Sequence, residues 1–100
     1  MYQRGHVLLI NYDISSDETR EELRKYLLGD DCRALELSES SYCIYVTSNA
    51  KAFYAILQSR FTFEENEDIV AVLTLTEPFD GQLSEIQRAW LSVNLVHSNR

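Results

Sequence analysis

The strongest constraint on the fold is the stretch His6 to Asp13, in which the run Val7-Leu8-Leu9-Ile10 breaks off in Asn11-Tyr12-Asp13. Four consecutive apolar residues between polar neighbours are too few for a buried helix and suit a strand covered on both faces. Alternation places Val7, Leu9, Asn11 and Asp13 on one side and Leu8, Ile10 and Tyr12 on the other. Such a strand belongs near the centre of a sheet, and it delivers a carboxylate to its C-terminal end.

The rest of the chain supplies partners for it. Ser15 and Glu18 have capping-box spacing, and Asp17, Glu18, Glu21 and Glu22 put negative charge where a helix dipole favours it. The pattern predicts a helix from about Ser16 to Leu28 with the stripe Leu23, Tyr26 and Leu27, stopped by Gly29 and Asp30-Asp31. Arg33 to Leu37 and Tyr42 to Thr47 read as strands joined through Ser38 to Ser41, with Leu35 and Leu37 on one face of the first and Tyr42, Ile44 and Val46 on one face of the second. Ser48 and Asn49 offer an N-cap to a second helix, Ala50 to about Arg60, carrying Phe53, Ile56 and Leu57. The acidic loop Glu64 to Asp68 leads into a nearly continuous apolar strand, Ile69 to Leu75, closed by the turn residues Pro78 to Gly81. A final amphipathic helix, about 84 to 95, starts at a second capping box, Ser84 with Gln87, and carries Leu83, Ile86, Trp90 and Val93.

The order β-α-β-β-α-β is that of a ferredoxin-like α+β fold, here with an added C-terminal helix. A chain of 100 residues with 45% hydrophobic content supports one domain, 1–100, whose core runs from about residue 6 to 76. Two helices cover one face of the sheet. If Leu8, Ile10 and Tyr12 meet them, Val7, Leu9, Asn11 and Asp13 lie on the other face, and its apolar residues call for a cover: the C-terminal helix or a second copy of the chain. Val7, Leu9 and Trp90 are the residues expected at an interface between copies.

Charge narrows the function classes. The net charge is −7, with five basic and nine acidic residues in the first half and four and seven in the second, and no basic cluster exceeds Arg24-Lys25. Tight non-specific binding to a nucleic-acid backbone draws on clustered Lys and Arg, so it is disfavoured, whereas a basic protein partner suits the surface. Cys32 and Cys43 have neither metal-site spacing nor disulfide-scaffold density, which points to a reducing compartment. The Val7 to Ile10 run is too short for a signal peptide and no stretch reaches membrane-span length, so a cytoplasmic location is expected.

Few side chains invite chemistry. Asp13 is the candidate metal ligand and catalytic residue, with Asn11 on the same face to assist it. His6 and His97 are read as surface residues, Cys43 as a core residue on a strand, and Cys32 as partly exposed. Asp30-Asp31 and Glu64, Glu65, Glu67 and Asp68 lack the ligand alternation of a calcium loop and are read as solvated charge. Ser48 and Lys51 match S-x-x-K but coincide with a helix start. Tyr42, Tyr45, Phe53 and Tyr54 are assigned to packing, since no basic residue between Tyr42 and Thr47 would hold a backbone beside stacked bases.

The strand ending in Tyr12-Asp13, the element order, and Leu37-Ser38-Glu39-Ser40-Ser41-Tyr42 followed by Ile44 together resemble the small CRISPR adaptation protein Cas-two. The closer likeness is to its SinR-like bacterial relatives, through Leu75-Thr76-Glu77-Pro78-Phe79, Gly81 and the tryptophan of the last helix. The resemblance implies a homodimer joined through the open sheet face, with Asp13 of each copy at a Mg²⁺ site that activates water for phosphodiester cleavage, an endoribonuclease activity, and Ser41 nearby. Where that family continues into a fifth strand, this sequence reads as a helix. The other function compatible with the same scaffold is a non-catalytic interaction module that uses its acidic surface.

Overall fold

In the computed structural model, which describes residues 5–98, the opening run is strand β1 (His6–Asp13), and it has a strand on either side. It pairs antiparallel with β3 (Ser41–Val46) and β4 (Ile69–Leu75), and β2 (Leu35–Ser38) adds to β3, giving the sheet order β2-β3-β1-β4. Three helices, α1 (Asp17–Leu27), α2 (Ala50–Arg60) and α3 (Glu85–Val96), complete an α+β fold in the order β1-α1-β2-β3-α2-β4-α3. The register sets Asn11 opposite Ser41 on one side and Ala71 on the other, and Asp13 opposite Ile69.

The alternation along β1 divides the core in two. Leu8, Ile10 and Tyr12 pack with Tyr42 and Ile44 of β3 against Leu23 and Leu27 of α1 and Phe53 and Leu57 of α2. Each fully buried aliphatic side chain there is worth ~1.5–3 kcal/mol of transfer free energy. On the opposite face Val7, Cys43 and Leu35 meet Leu91 and Leu95 of α3, with Leu9, Leu75 and Trp90 around them. The cover for that face is therefore α3. Val7, expected at an interface between copies, is fully buried within one chain because α3 already sits on it, whereas Leu9 and Trp90 are half-buried.

Side-chain hydrogen bonds pin α3 to the β2 side of the sheet. Gln87 Nε2 donates to the carbonyls of Glu36 at 3.1 Å and Leu37 at 3.3 Å, and Trp90 Nε1 donates to that of Arg33 at 3.2 Å. The Tyr45 hydroxyl donates to the His97 carbonyl at 3.0 Å and accepts from the Gly5 amide at 3.1 Å. A side chain at position 5 would collide with that ring, since its Cβ would lie 2.6 Å from Tyr45 Cε1.

Caps decide the helix starts, and one differs from the sequence reading. Ser84 and Gln87 form the expected capping box at α3, and Asn49 caps α2. At α1 the cap is Ser16, whose hydroxyl accepts from the Thr19 amide, and not Ser15. Ser15 is taken: its amide and hydroxyl both donate to Asp68 Oδ1, at 2.8 and 3.0 Å. The helix stops at Gly29 as expected, with a right-handed Leu28 as C-cap and Gly29 itself outside the left-handed region.

Two further readings change for the same physical reasons. Asp68 is more than a solvated loop charge, because besides the Ser15 bonds its part-exposed carboxylate accepts from the Glu64 amide at 2.7 Å. These hydrogen bonds, the Ser15 and Glu64 amides foremost, hold its carboxyl below the ordinary range. Cys32 is buried in the helix-side core instead of partly exposed, and burial raises its thiol pKa. Cys43 is a core residue on the α3 side, with its thiol pushed up to about 11 by the same desolvation.

Candidate functional site

The end of β1 runs out from under α3. Val7 is fully covered, Leu9 partly, and Asn11 and Asp13 are exposed. Antiparallel pairing aligns neighbours on the same face, so Ile69, Ala71 and Leu73 of β4 share this open half-face with them. Ser41, across from Asn11, donates its hydroxyl hydrogen to Asn11 Oδ1 at 2.5 Å. The structure thus brings together the three residues assigned to the site from sequence, Asp13, Asn11 and Ser41, on one exposed corner of the sheet. Among the described residues, the Asp13 carboxylate has no hydrogen-bond or ion-pair partner.

Asp13 contributes the hard oxygen donors suited to Mg²⁺, which takes one or two carboxylates and completes its shell with water and substrate phosphate, while the Asn11 oxygen is engaged by Ser41. Among the described residues no three His, Cys, Asp or Glu side chains converge as a metal-binding group. A cation at Asp13 would draw its remaining ligands from water, a bound phosphate or a second chain. His6 and His97 stand apart from this corner, His6 at the far end of β1 and His97 at the C-cap of α3.

Behind the corner, between α1 and the β2–β3 hairpin, lies an open cleft of about 990 Å³ with Tyr12 and Asp13 in its wall. Its charged residues are Asp13, Asp17, Glu21, Glu36 and Glu39 against Arg20 and Arg24. Both arginines are engaged: Arg20 pairs with Asp17 and donates to the Ile14 carbonyl at 2.9 Å, and Arg24 lies 3.9 Å from Glu21 and 4.0 Å from Glu36. Five carboxylates against two neutralised guanidiniums give the cleft a negative potential.

Its inner wall is aromatic. The Tyr12 and Tyr42 rings stack with centroids 6.2 Å apart and planes within 1° of parallel. The Tyr42 hydroxyl donates to Glu36 Oε1 at 2.9 Å, and burial together with this carboxylate raises the phenol's pKa well above its ordinary value. The sequence gives little notice of this cleft. Arg20 and Arg24 stand one helical turn apart, a spacing that places them on one face, but Glu36 and Glu39 reach them only because the hairpin folds back beside α1.

Among the described residues no helix is long and apolar enough to cross a membrane. Comparison with protein-family models, with curated proteins and with solved structures finds no match to this chain.

Proposed function

We propose that the chain is a ferredoxin-like, Cas-two-like cytoplasmic protein that works as a homodimer on nucleic acid, with Asp13 as its Mg²⁺ ligand and the seat of phosphodiester hydrolysis. The strand order β4-β1-β3-β2, with each of α1 and α2 crossing between non-adjacent strands, supports the fold name. The observation that carries the function is the exposed corner itself: an unpartnered carboxylate beside the hydrogen-bonded pair Asn11 and Ser41, on the part of the sheet face that α3 leaves open.

In this reading Asp13 holds the cation, while Ser41 fixes the Asn11 amide so that its NH₂ group faces outward toward a bound phosphate. The cation, when bound, offsets the negative field of the neighbouring cleft and lowers the pKa of water. The stacked Tyr12 and Tyr42 lie behind the strand end. Hydrolysis of short RNA and DNA by pure protein with and without Mg²⁺ tests this. Native protein is expected to cleave only with the metal, and Asp13→Asn to lose about a hundredfold or more of that activity. Equal cleavage by the variant, or none by the native chain, overturns the reading.

The cleft favours a second reading, in which the same scaffold is a non-catalytic module that binds a basic protein segment. Its support is the excess of carboxylates over paired arginines. Titration of short RNA and of a Lys/Arg-rich peptide at low salt separates the two readings. A module of this kind binds the peptide with salt-sensitive affinity and leaves the RNA free, and RNA binding without peptide binding removes it.

A further inference from the structure

The sheet has two edges, and the chain treats them differently. The β2 edge is short, only four residues, bulged between Glu36 and Ser38, and capped where Gln87 donates to the carbonyls of Glu36 and Leu37. These are devices that stop an edge from accepting another strand. The β4 edge has none of them. Seven residues, Ile69-Val-Ala-Val-Leu-Thr-Leu75, run in unbroken register along β1 with no charge, no proline and no bulge. Among the described residues no loop or side chain hydrogen-bonds its outer side.

Both faces of β4 are only partly covered. Toward the α3 side Ile69 and Leu73 are 60% and 51% exposed. Toward α2, Val70 and Val72 line an open groove of about 280 Å³ with Tyr54, Ala50 and Lys51. A lone peptide strand would satisfy the edge but leave this groove open. A body that continues the sheet and brings its own helix layer fills both.

We propose that β4 pairs antiparallel with β4 of a second copy, about a two-fold axis midway between the two Val72 residues and perpendicular to the sheet, to form one eight-stranded sheet. In that register Ile69 faces Leu75, Val70 faces Thr74 and Ala71 faces Leu73 of the other copy, so apolar residues meet along the α3-side face and the seven paired residues bring no charges together. The axis keeps both α2 helices on the same side, so the two Tyr54-lined grooves adjoin. For a chain of net charge −7, an uncharged strand is a surface on which two copies repel little. Contact through the open face is hindered by α3, a helix layer ~10 Å thick that stands up from the same side of the sheet.

This deepens the homodimer of the proposed function by naming the joining surface, and it rests on that reading only for the existence of a dimer. It also separates the two candidate sites. Asp13 lies on β1 opposite Ile69. Pairing about Val72 sets the two Asp13 Cα atoms roughly 25 Å apart, from strand spacings of ~4.8 Å and a rise of ~3.4 Å per residue. Each Asp13 then serves its own corner, with phosphate oxygens rather than a second Asp13 completing a metal shell.

Light scattering on the eluting full chain tests the interface. The native protein is expected to run as a dimer that tightens as salt screens the like charges, and Leu73→Lys to weaken dimerisation about tenfold or more, by placing a charge beside the seam. Val93→Lys, on the exposed outer face of α3, is expected to leave the dimer intact. Should Leu73→Lys fold poorly, spin labels at Asp13→Cys give an independent reading, since the two native thiols are buried. A distance near 25 Å supports edge pairing, and labels closer than about 15 Å show copies meeting at Asp13 and overturn it. A monomeric native chain, including one that captures only an added β-strand peptide, or a dimer broken by Val93→Lys but not by Leu73→Lys, also overturns it. Loss of nuclease activity has no bearing on these readouts.

Discussion

Strand β1 is buried from both sides, yet its two faces are finished to different degrees. On the helix side Leu8, Ile10 and Tyr12 are buried along the whole strand, beneath two helices. On the other side burial declines from Val7 through Leu9 to Asn11 and Asp13, because one helix, pinned over β2, covers only part of the sheet. The complete face accounts for a stable fold. The incomplete one is where the chain keeps its polar corner and its open strand, so packing and function are divided between the two sides of a single strand.

The largest expected effect tests the complete face. Leu57 of α2 is fully buried among the helix-side core residues. Leu57→Ala should cost ~2–5 kcal/mol, the transfer free energy plus the cavity left in a core that cannot collapse around it. Urea unfolding followed by circular dichroism measures it. Leu73→Ala, on the open face, should cost within ~0.5 kcal/mol for the separated chains. Equal costs for the two would break the distinction.

A second test asks whether the two sides unfold together, and the cysteines place a reporter on each: Cys32 in the helix-side core and Cys43 beneath α3. Both thiols should resist modification at pH 8 in the native protein, Cys43 above all, since its pKa near 11 leaves little thiolate even where reagent reaches it. Leu95→Ala removes the α3 residue packed over Val7 and Cys43 and should cost ~2–4 kcal/mol. Because α3 can lift away without opening the α1 and α2 layer, Cys43 should then label at least about tenfold faster than Cys32, as followed by peptide mass spectrometry. Parallel labelling would show that the faces form one cooperative unit.

Local signals made most of this fold legible. The bounds expected for β1, α2 and β4 coincide with those observed, since each rests on a strong apolar pattern between polar residues or a cap. Polar bookkeeping between distant segments was harder to see. Ser15 and Ser16 are equally good caps locally, and only Asp68, 53 residues away, decides between them by engaging Ser15. The cover over Val7 was likewise open between α3 and a second copy until the Gln87 and Trp90 hydrogen bonds fixed where α3 lies. Asp13 and Asn11 share a face by period-two arithmetic, whereas Ser41, implied there only by a resemblance, joins them through the β1–β3 register, and the cleft behind them depends on how the hairpin folds back.

The smallest effect concerns Asp68, which finishes the helix side by tying the turn before α1 to the turn before β4. Its carboxylate accepts from the amides of Ser15 and Glu64 and from the Ser15 hydroxyl, and its pKa lies below the usual carboxylate range in consequence. A carboxyl whose pKa is depressed on folding adds stability above its unfolded pKa, about 3.9, and loses that contribution as pH falls through its folded value. Asp68→Asn should therefore lower the urea midpoint at pH 6, where the native carboxylate is ionised, and the deficit should shrink steadily below pH 4 as the native side chain is protonated. Asp13→Asn, at a position with no partner to lose, should leave the pH 6 midpoint within experimental error. A deficit for Asp68→Asn that persisted unchanged to pH 2 would assign its role to shape and not to charge. The helix side would then owe its closure at this end to packing alone.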